Sequence, residues 1–337
     1  MFRQQRGKIV LSLVFGVLVV AALSLVADVQ KLSVTLSGFS WRLMPAILGL
    51  TLFNYALRFA KWQYYLRLIG VRGLSTRDSF GIFFSAFTMV MTPGKVGELL
   101  KSYLLRRVVG TPLAVSAPVI LAERMTDGVA LVFLAALGLA NTRFGWPILV
   151  VTLVGALGAL AVVQHRPTAE RLLALGEGFR PLAPRIHHLR DFYASSYELL
   201  RPRPFGLAVL CGFVSWAGEC VAFFLVLLGL GLPGSWTLLI AATSILALST
   251  LIGSASLLPG GLGVADASIA GLLLAVVASP LMTRDLAVAG SLLIRFATLW
   301  FGVLLGALVV VIYRHHFSDL PTFAPEATPP TPDPQRA

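Results

Sequence analysis

The chain has 337 residues, of which 57% are apolar and only 12% charged, against about 25% charged in soluble proteins. Several apolar runs reach the ~20 residues that cross a hydrocarbon core of ~30 Å, which excludes a soluble enzyme, a secreted disulfide scaffold and a disordered chain. The net charge of +12 reads as membrane orientation and contact with anionic inner-leaflet headgroups, not as nucleic-acid binding.

In chain order, MFRQQRGK precedes an apolar run over residues 9–27. The run is longer than a signal-peptide core and no clear small-x-small cleavage site follows, so it is expected to stay as a first span. The second span covers 43–66 and is interrupted by Arg58 and Lys61. Residues 80–92 form a short apolar segment that ends in Thr92-Pro93-Gly94. Residues 96–105 are shorter still and carry Glu98 and Lys101. The run 113–140 is long and contains Glu123, Arg124 and Asp127, whereas 147–163 is cleanly apolar. A basic segment, 164–203, follows. In it Ile186, Leu189, Phe192, Tyr193, Tyr197 and Leu200 recur at roughly helical spacing, as in an amphipathic helix on the inner leaflet or an ordinary cytoplasmic linker helix. The span 205–231 carries Glu219. The run 236–258 ends in Pro259-Gly260-Gly261, 262–278 follows, and 286–313 carries Arg295. The tail from Pro321 is Pro-rich and reads as disordered.

Positive charge sets the expected orientation. Arg3, Arg6 and Lys8 put the N-terminus in the cytoplasm; Arg67, Arg72 and Arg77 follow the second span there. Seven Arg between 164 and 203, and Arg314 after the last span, are also inside. Trp41, Trp146 and Trp236 fall on the opposite boundary, where amphipathic rings settle. The two short segments around Pro93-Gly94 are flanked by cations on both sides, so both ends belong inside. Segments of 10 to 14 residues do not span. A re-entrant hairpin opening from the cytoplasm and turning at Pro93-Gly94 satisfies both facts, provided its freed backbone is buried or lines a wet cavity.

The turn recurs. Pro93-Gly94-Lys95-Val96-Gly97 matches Pro259-Gly260-Gly261-Leu262-Gly263, and an acid follows each, Glu98 and Asp266. Upstream, Arg58 corresponds by offset to Glu219; downstream, Arg124 corresponds to Arg295. The offsets are 161, 166 and 171 residues. With the sidedness above, the second unit runs opposite to the first, giving an inverted repeat of the transporter type. The second hairpin's arms are also long enough to be two full spans. The expected architecture is therefore all-α and polytopic, with about six full spans plus two re-entrant Pro-Gly hairpins. Its units are 1–42, a first repeat at 43–163, a basic linker at 164–203, an inverted repeat at 204–314 and a tail at 315–337.

A charge at the centre of a spanning helix costs about 2.5–3.5 kcal/mol on insertion scales and persists where it is paired or lines a cavity. The candidates are Arg58, Lys95, Glu98, Glu123, Arg124, Asp127, Glu219, Asp266 and Arg295, with the turn residues Pro93, Gly94, Gly97, Pro259, Gly260, Gly261 and Gly263. Arg and Lys suit a lipid phosphate, Arg through its planar fork. The acids serve as counter-charges in the empty site or meet a cationic headgroup; structural ion pairing is the plainer alternative. Arg58, Lys61, Lys101 and Glu123 could instead lie at interfaces and snorkel. Gly302 and Gly306 form a GxxxG expected at a close helix contact. No catalytic signature, metal site or cofactor is expected. The five His sit in basic segments, there is no nucleotide-binding Gly-rich loop, and Cys211 and Cys220 lie on opposite faces of one helix.

These residues resemble a known family. MTPGKVGELLKSYLL, ERMTDG, LLPGGLGVADAS and Arg295 in LLIRFATLWFGVLLGAL are similar to the membrane domain of the lysylphosphatidylglycerol synthase/flippase family, over about residues 9–313. In full-length synthases of this kind a cytoplasmic aminoacyltransferase domain follows the membrane part; here a short tail does. The resemblance implies the lipid-translocating part without the synthase. It leaves the substrate open among phospholipid, polyprenyl-linked and hopanoid-type lipids. A bacterial inner-membrane flippase is the leading expectation, non-enzymatic, with a separate lipid-modifying enzyme or a second copy in a homodimer as candidate partners. A membrane-embedded headgroup transferase and a scaffold for a separate synthase are the alternatives.

Overall fold

The computed structural model describes residues 29–90, 97–139, 145–177 and 186–318. The first apolar run (9–27), Pro93, Gly94 and Lys95 of the first turn, and the tail from Pro321 lie outside the described residues. Among the described residues every regular element is helical. The order is α1 (Val29–Ser37), α2 (Met44–Leu68), α3 (Thr76–Ser85, continued by a 3₁₀ turn at Ala86–Met89), α4 (Leu100–Val109), α5 (Leu113–Leu139), α6 (Gly145–Gln164), α7 (Arg166–Glu177) and α8 (Ile186–Leu199). The second half holds α9 (Pro202–Gly229), α10 (Trp236–Ala255), a 3₁₀ turn at Pro259–Gly261, α11 (Val264–Val276), α12 (Arg284–Arg295), a π turn at Phe296–Trp300 and α13 (Phe301–Ser318).

Local chemistry sets several of these ends. The hydroxyls of Ser75, Ser235 and Thr283 accept hydrogen bonds from the backbone N–H groups of Asp78, Leu238 and Leu286, so α3, α10 and α12 begin on side-chain caps. Gly110, at φ +74°, closes α4 in the left-handed conformation that glycine adopts without a Cβ penalty. Among the described residues five stretches are long and apolar enough to cross a membrane: Trp41–Leu68, Pro202–Gly229, Trp236–Ala255, Pro259–Val276 and Arg284–Tyr313. The chain is a multi-pass, all-α membrane protein. Pro259–Val276 reaches that length only by including the turn. Its regular part, α11, has 13 residues, about 20 Å at 1.5 Å per residue, short of a ~30 Å hydrocarbon core.

The interior has two apolar cores. One contains Ile47, Leu131, Leu134, Phe223, Val226, Ile245, Ile269, Leu273 and Leu293. The other is aromatic, built on Tyr55, Trp62, Tyr65, Phe83, Phe84 and Phe87 with Leu104, Leu105, Val119 and Leu199. Three long helices thread both. α2 enters through the first core at Ile47 and leaves through the aromatic one. α5 and α9 run the other way, from Val119 and Ala208 in the aromatic core to Leu134 and Phe223 in the first. Arg58 and Lys61 of α2, Glu123, Arg124 and Asp127 of α5 and Glu219 of α9 form one polar layer that adjoins the aromatic core. The segments flanking each Pro-Gly turn share a core. α3 and α4 both contribute to the aromatic one, and α10 and α11 both contribute to the other.

Two expectations needed adjustment. The basic linker holds two helices, and the C-terminal half of α8 packs on protein rather than on lipid. Ser195, Ser196 and Leu199 are buried, while Tyr193 donates to the carbonyl of Val163 at 3.0 Å and Gln164 donates to that of Tyr197 at 2.9 Å. The last predicted span is not one regular helix, since the π turn interrupts it directly after Arg295. The GxxxG does mark a close contact. A Cβ on Gly306 would sit 2.8 Å from the Phe84 carbonyl oxygen, and one on Gly302 would sit 2.5 Å from the Tyr55 hydroxyl.

These contacts set a stability difference between glycines. Gly306→Ala overpacks the α13–α3 seam and is expected to destabilise by about 1–3 kcal/mol. Gly49→Ala, whose Cβ meets nothing within 4 Å, is expected to be neutral or stabilising by up to about 1 kcal/mol. Thermal unfolding of both variants in detergent measures the contrast; equal midpoints would rule out the seam.

Candidate functional site

On α2, residues 54, 55, 58, 61 and 62 share one face by their i, i+3, i+4, i+7 spacing. That face meets α5 and α9. Asn54 donates to the Ser215 carbonyl at 3.1 Å, and the Ser215 hydroxyl donates back to the Asn54 carbonyl at 3.3 Å. Two turns on, Lys61 pairs with Asp127, and in the turn between them the Arg58 Nε stands 4.0 Å from the other Asp127 oxygen. Gly212 on α9 makes room for this group; a Cβ there would lie 3.1 Å from Asp127 Oδ1 and 3.6 Å from Lys61 Nζ.

The segment after the first turn supplies Glu98 and Lys101, three residues apart. They meet adjacent residues of α5 with opposite signs. Arg124 binds Glu98 through both Nε, at 2.9 Å, and Nη2. Lys101 pairs with Glu123 and lies 4.7 Å from the Trp62 ring centre, over its face. The second half repeats the acid–arginine pair. Arg295 Nε donates to Asp266 Oδ1 at 3.1 Å and its Nη2 donates to the Gly260 carbonyl at 2.7 Å. Asp266 also accepts from the Gly263 N–H at 2.8 Å, which closes the N-terminus of α11. Gly260, Gly261 and Gly263 have φ of +59°, +66° and +79°, so the turn needs residues without Cβ. Its tip touches the segment that follows α3, where the Gly260 N–H donates to the Val90 carbonyl at 3.2 Å.

A cavity of about 400 Å³ opens among these groups, within the range of small-ligand pockets. Arg58, Glu98, Lys101, Arg124, Asp127, Glu219, Gly260, Gly261 and Arg295 line it with Tyr55, Phe83, Phe87 and Trp216. The expected residues therefore divide. Arg58, Glu98, Arg124, Asp127, Glu219, Gly260, Gly261 and Arg295 converge on the cavity. Glu123 and Asp266 stand behind it, holding Lys101 and Arg295. Pro259 and Gly263 shape the turn, Gly97 adjoins Glu98, and Pro93, Gly94 and Lys95 are outside the described residues. Lys61 and Lys101 do not snorkel. They are 3% and 5% exposed, because acids on α5 reach them inside the protein.

Reading the sequence missed several cavity residues. Tyr55 donates to the Thr298 carbonyl in the π turn, and the indole N–H of Trp216 is buried with no hydrogen-bond partner among the described residues. Thr250, Ser254 and Thr298 also line the wall. The spacing of Glu98 and Lys101 against Arg124 and Glu123 was a readable signal for Lys101; nothing in an apolar run singles out Trp216 or Thr298. Glu219 is 5% exposed, and it has no hydrogen bond or ion pair among the described residues. No three His, Cys, Asp or Glu side chains among them converge as a metal site.

The sequence model described as lysylphosphatidylglycerol synthase TM region matches residues 9–306. The chain belongs to that family. No curated protein matches the chain.

The pairing makes a directed prediction. Removing one member of a buried pair strands the other, a loss of about 3–5 kcal/mol at full burial. Because the Arg124 side chain is 34% exposed, a smaller loss of about 1–3 kcal/mol is expected for Arg124→Gln. Adding Glu98→Gln should recover part of it; adding Asp266→Asn should not. Thermal shifts of the single and double variants decide. Equal recovery from either acid would refute the assigned pairing.

Proposed function

We propose that this member of the family moves the polar headgroup of a membrane lipid between leaflets, through the charged cavity, while the acyl chains stay in the bilayer. The observation that carries this reading is the cavity itself, in which charged residues from both halves meet on an otherwise largely apolar lining. An ionic headgroup cannot enter bare hydrocarbon, where an isolated charge costs tens of kcal/mol by Born solvation. Arg58 and Arg124 are suited to a phosphate, since the planar guanidinium binds it through two parallel hydrogen bonds. Purely structural ion pairing accounts for Lys101–Glu123 but not for a cavity beside it, or for an acid with no partner.

The proposed architecture is an inverted repeat with two re-entrant hairpins. Three features support it. α2 and α9 run antiparallel and exchange reciprocal hydrogen bonds between Asn54 and Ser215, whose separation of 161 residues is also that of Arg58 and Glu219. Each half holds an acid just after its turn against an Arg, Glu98 with Arg124 and Asp266 with Arg295. Both arms of each hairpin pack in a single core. By the positive-inside rule the aromatic core faces the cytoplasm of a bacterial inner membrane, with both termini inside. In this reading the protein is a transporter and not an enzyme.

Two experiments test it. In proteoliposomes, a headgroup-labelled fluorescent phospholipid should exchange leaflets faster with protein than without, and its mass should be unchanged. Gly261→Leu should lower the rate at least about tenfold, because a Cβ there lies 3.1 Å from the Gly253 backbone and φ is positive. Covalent change of the lipid would favour the transferase alternative, and no movement would favour the scaffold. In a Cys-free background, cysteines at 72 and 106 should label only from the cytoplasm and those at 35 and 234 only from outside. Labelling of 106 from outside would overturn the hairpin.

A further inference from the structure

Among the described residues the polar layer holds five cations, Arg58, Lys61, Lys101, Arg124 and Arg295, and five acids, Glu98, Glu123, Asp127, Glu219 and Asp266. Four acids have a cation within salt-bridge reach. Glu219 has none among the described residues, although it is buried and lines the cavity. It is the eighteenth residue of the 28 in α9, far from either end. The groups that face it are Arg58 and Tyr55 on α2, Asp127 on α5 and Arg295 on α12. Of the cations, Arg295 is tied to Asp266 and Gly260, whereas Arg58 stands 4.0 Å from an Asp127 already paired with Lys61. Arg58 is thus the loosely held cation and Glu219 the loosely held acid, on opposite helices across one cavity.

The charge balance gives these two residues a task. With Glu219 ionised these described charges balance, five against five. An anionic headgroup that takes Arg58 would leave a charge of −1 in low dielectric, unless Glu219 accepts a proton. With that proton the loaded layer is again neutral. We propose that Glu219 is the binding site for a proton that moves together with each anionic lipid headgroup, one for one. This rests on the headgroup-transport reading. Proton and headgroup then raise each other's affinity reciprocally, and both the empty and the loaded cavity avoid an uncompensated charge at membrane depth. Because the loaded complex is neutral, movement should follow a pH gradient and ignore the membrane potential.

The test uses headgroup-labelled phosphatidylglycerol, which carries one negative charge, in proteoliposomes of the wild-type protein. One-for-one coupling predicts about tenfold leaflet asymmetry of the probe per pH unit across the membrane, and no response to a potassium diffusion potential. Glu219→Gln should abolish the asymmetry whatever rate remains, and Glu219→Asp, which keeps the acid, should preserve it at a changed rate. Wild-type movement with no response to the gradient would overturn the proposal while leaving transport intact, as would asymmetry that survives in Glu219→Gln. A second measurement separates failure of transport from failure of the proton site. Dioctanoyl phosphatidylglycerol added to detergent-purified protein in weak buffer should draw about one proton per bound lipid in the wild type and none in Glu219→Gln. Binding without proton uptake, or equal uptake in both, would also overturn it.

Discussion

A charge at membrane depth has to meet its counter-charge inside the protein, and here most of that meeting takes place on α5. Glu123, Arg124 and Asp127 occupy little more than one helical turn, yet they reach three different partners. Lys101 and Glu98 come from the segment after the first Pro-Gly turn, and Lys61 comes from α2. Left unpaired, each would cost about 2.5–3.5 kcal/mol on insertion scales. The pairs do not make the protein more stable than an apolar core of the same shape would, since desolvation offsets much of the Coulomb energy. They do make alternative packings expensive, because any slip of α5 against α2 or α4 separates several charges at once.

Small residues allow that pairing geometry. Gly212 lets α9 approach the Lys61–Asp127 pair, and Gly253 lets α10 pass the backbone of Gly261. Gly302 admits the Tyr55 ring, whose hydroxyl reaches the freed carbonyl of Thr298 in the π turn. A π turn leaves backbone groups without their usual helical partners and occurs often at functional sites. Placed directly after Arg295, it brings Thr298 and Leu299 to the cavity wall. The second turn is held in the same way by backbone and charge together. Asp266 caps α11 and anchors Arg295, and Arg295 in turn holds the Gly260 carbonyl.

The result is an interior of two apolar cores and one ionic layer. A bundle stabilised by ion pairs alone would close on them. This one leaves a space beside them, lined by the Trp216 indole N–H and Asp127 Oδ2, neither of which has a hydrogen-bond partner among the described residues. Buried polar groups without partners are uncommon in stable interiors. Two of them, on Trp216 and Asp127, belong to residues that line the cavity with Glu219.

Much of this was readable along the chain. Apolar run length and charge content determined an all-α membrane protein, because a backbone in hydrocarbon must satisfy its hydrogen bonds within each helix. The repeated Pro-Gly motif, with Glu98 and Asp266 after it and Arg124 and Arg295 downstream, picked out residues that do converge. A charge in an apolar run is visible precisely where composition makes it rare. What the sequence could not determine was partnership. Nothing along the chain says which acid Arg124 meets, or whether Lys61 and Lys101 snorkel or pair inside, because helix rotation and depth are set by packing between distant segments. Only the tertiary structure decided that Arg124 takes Glu98, that Glu123 and Asp266 stand behind the cavity, and that Tyr55, Trp216 and Thr298 line it. It also decided that Glu219 has no salt-bridging cation among the described residues, since that depends on how charges on six helices and the segment before α4 pair off, and no local pattern encodes that pairing.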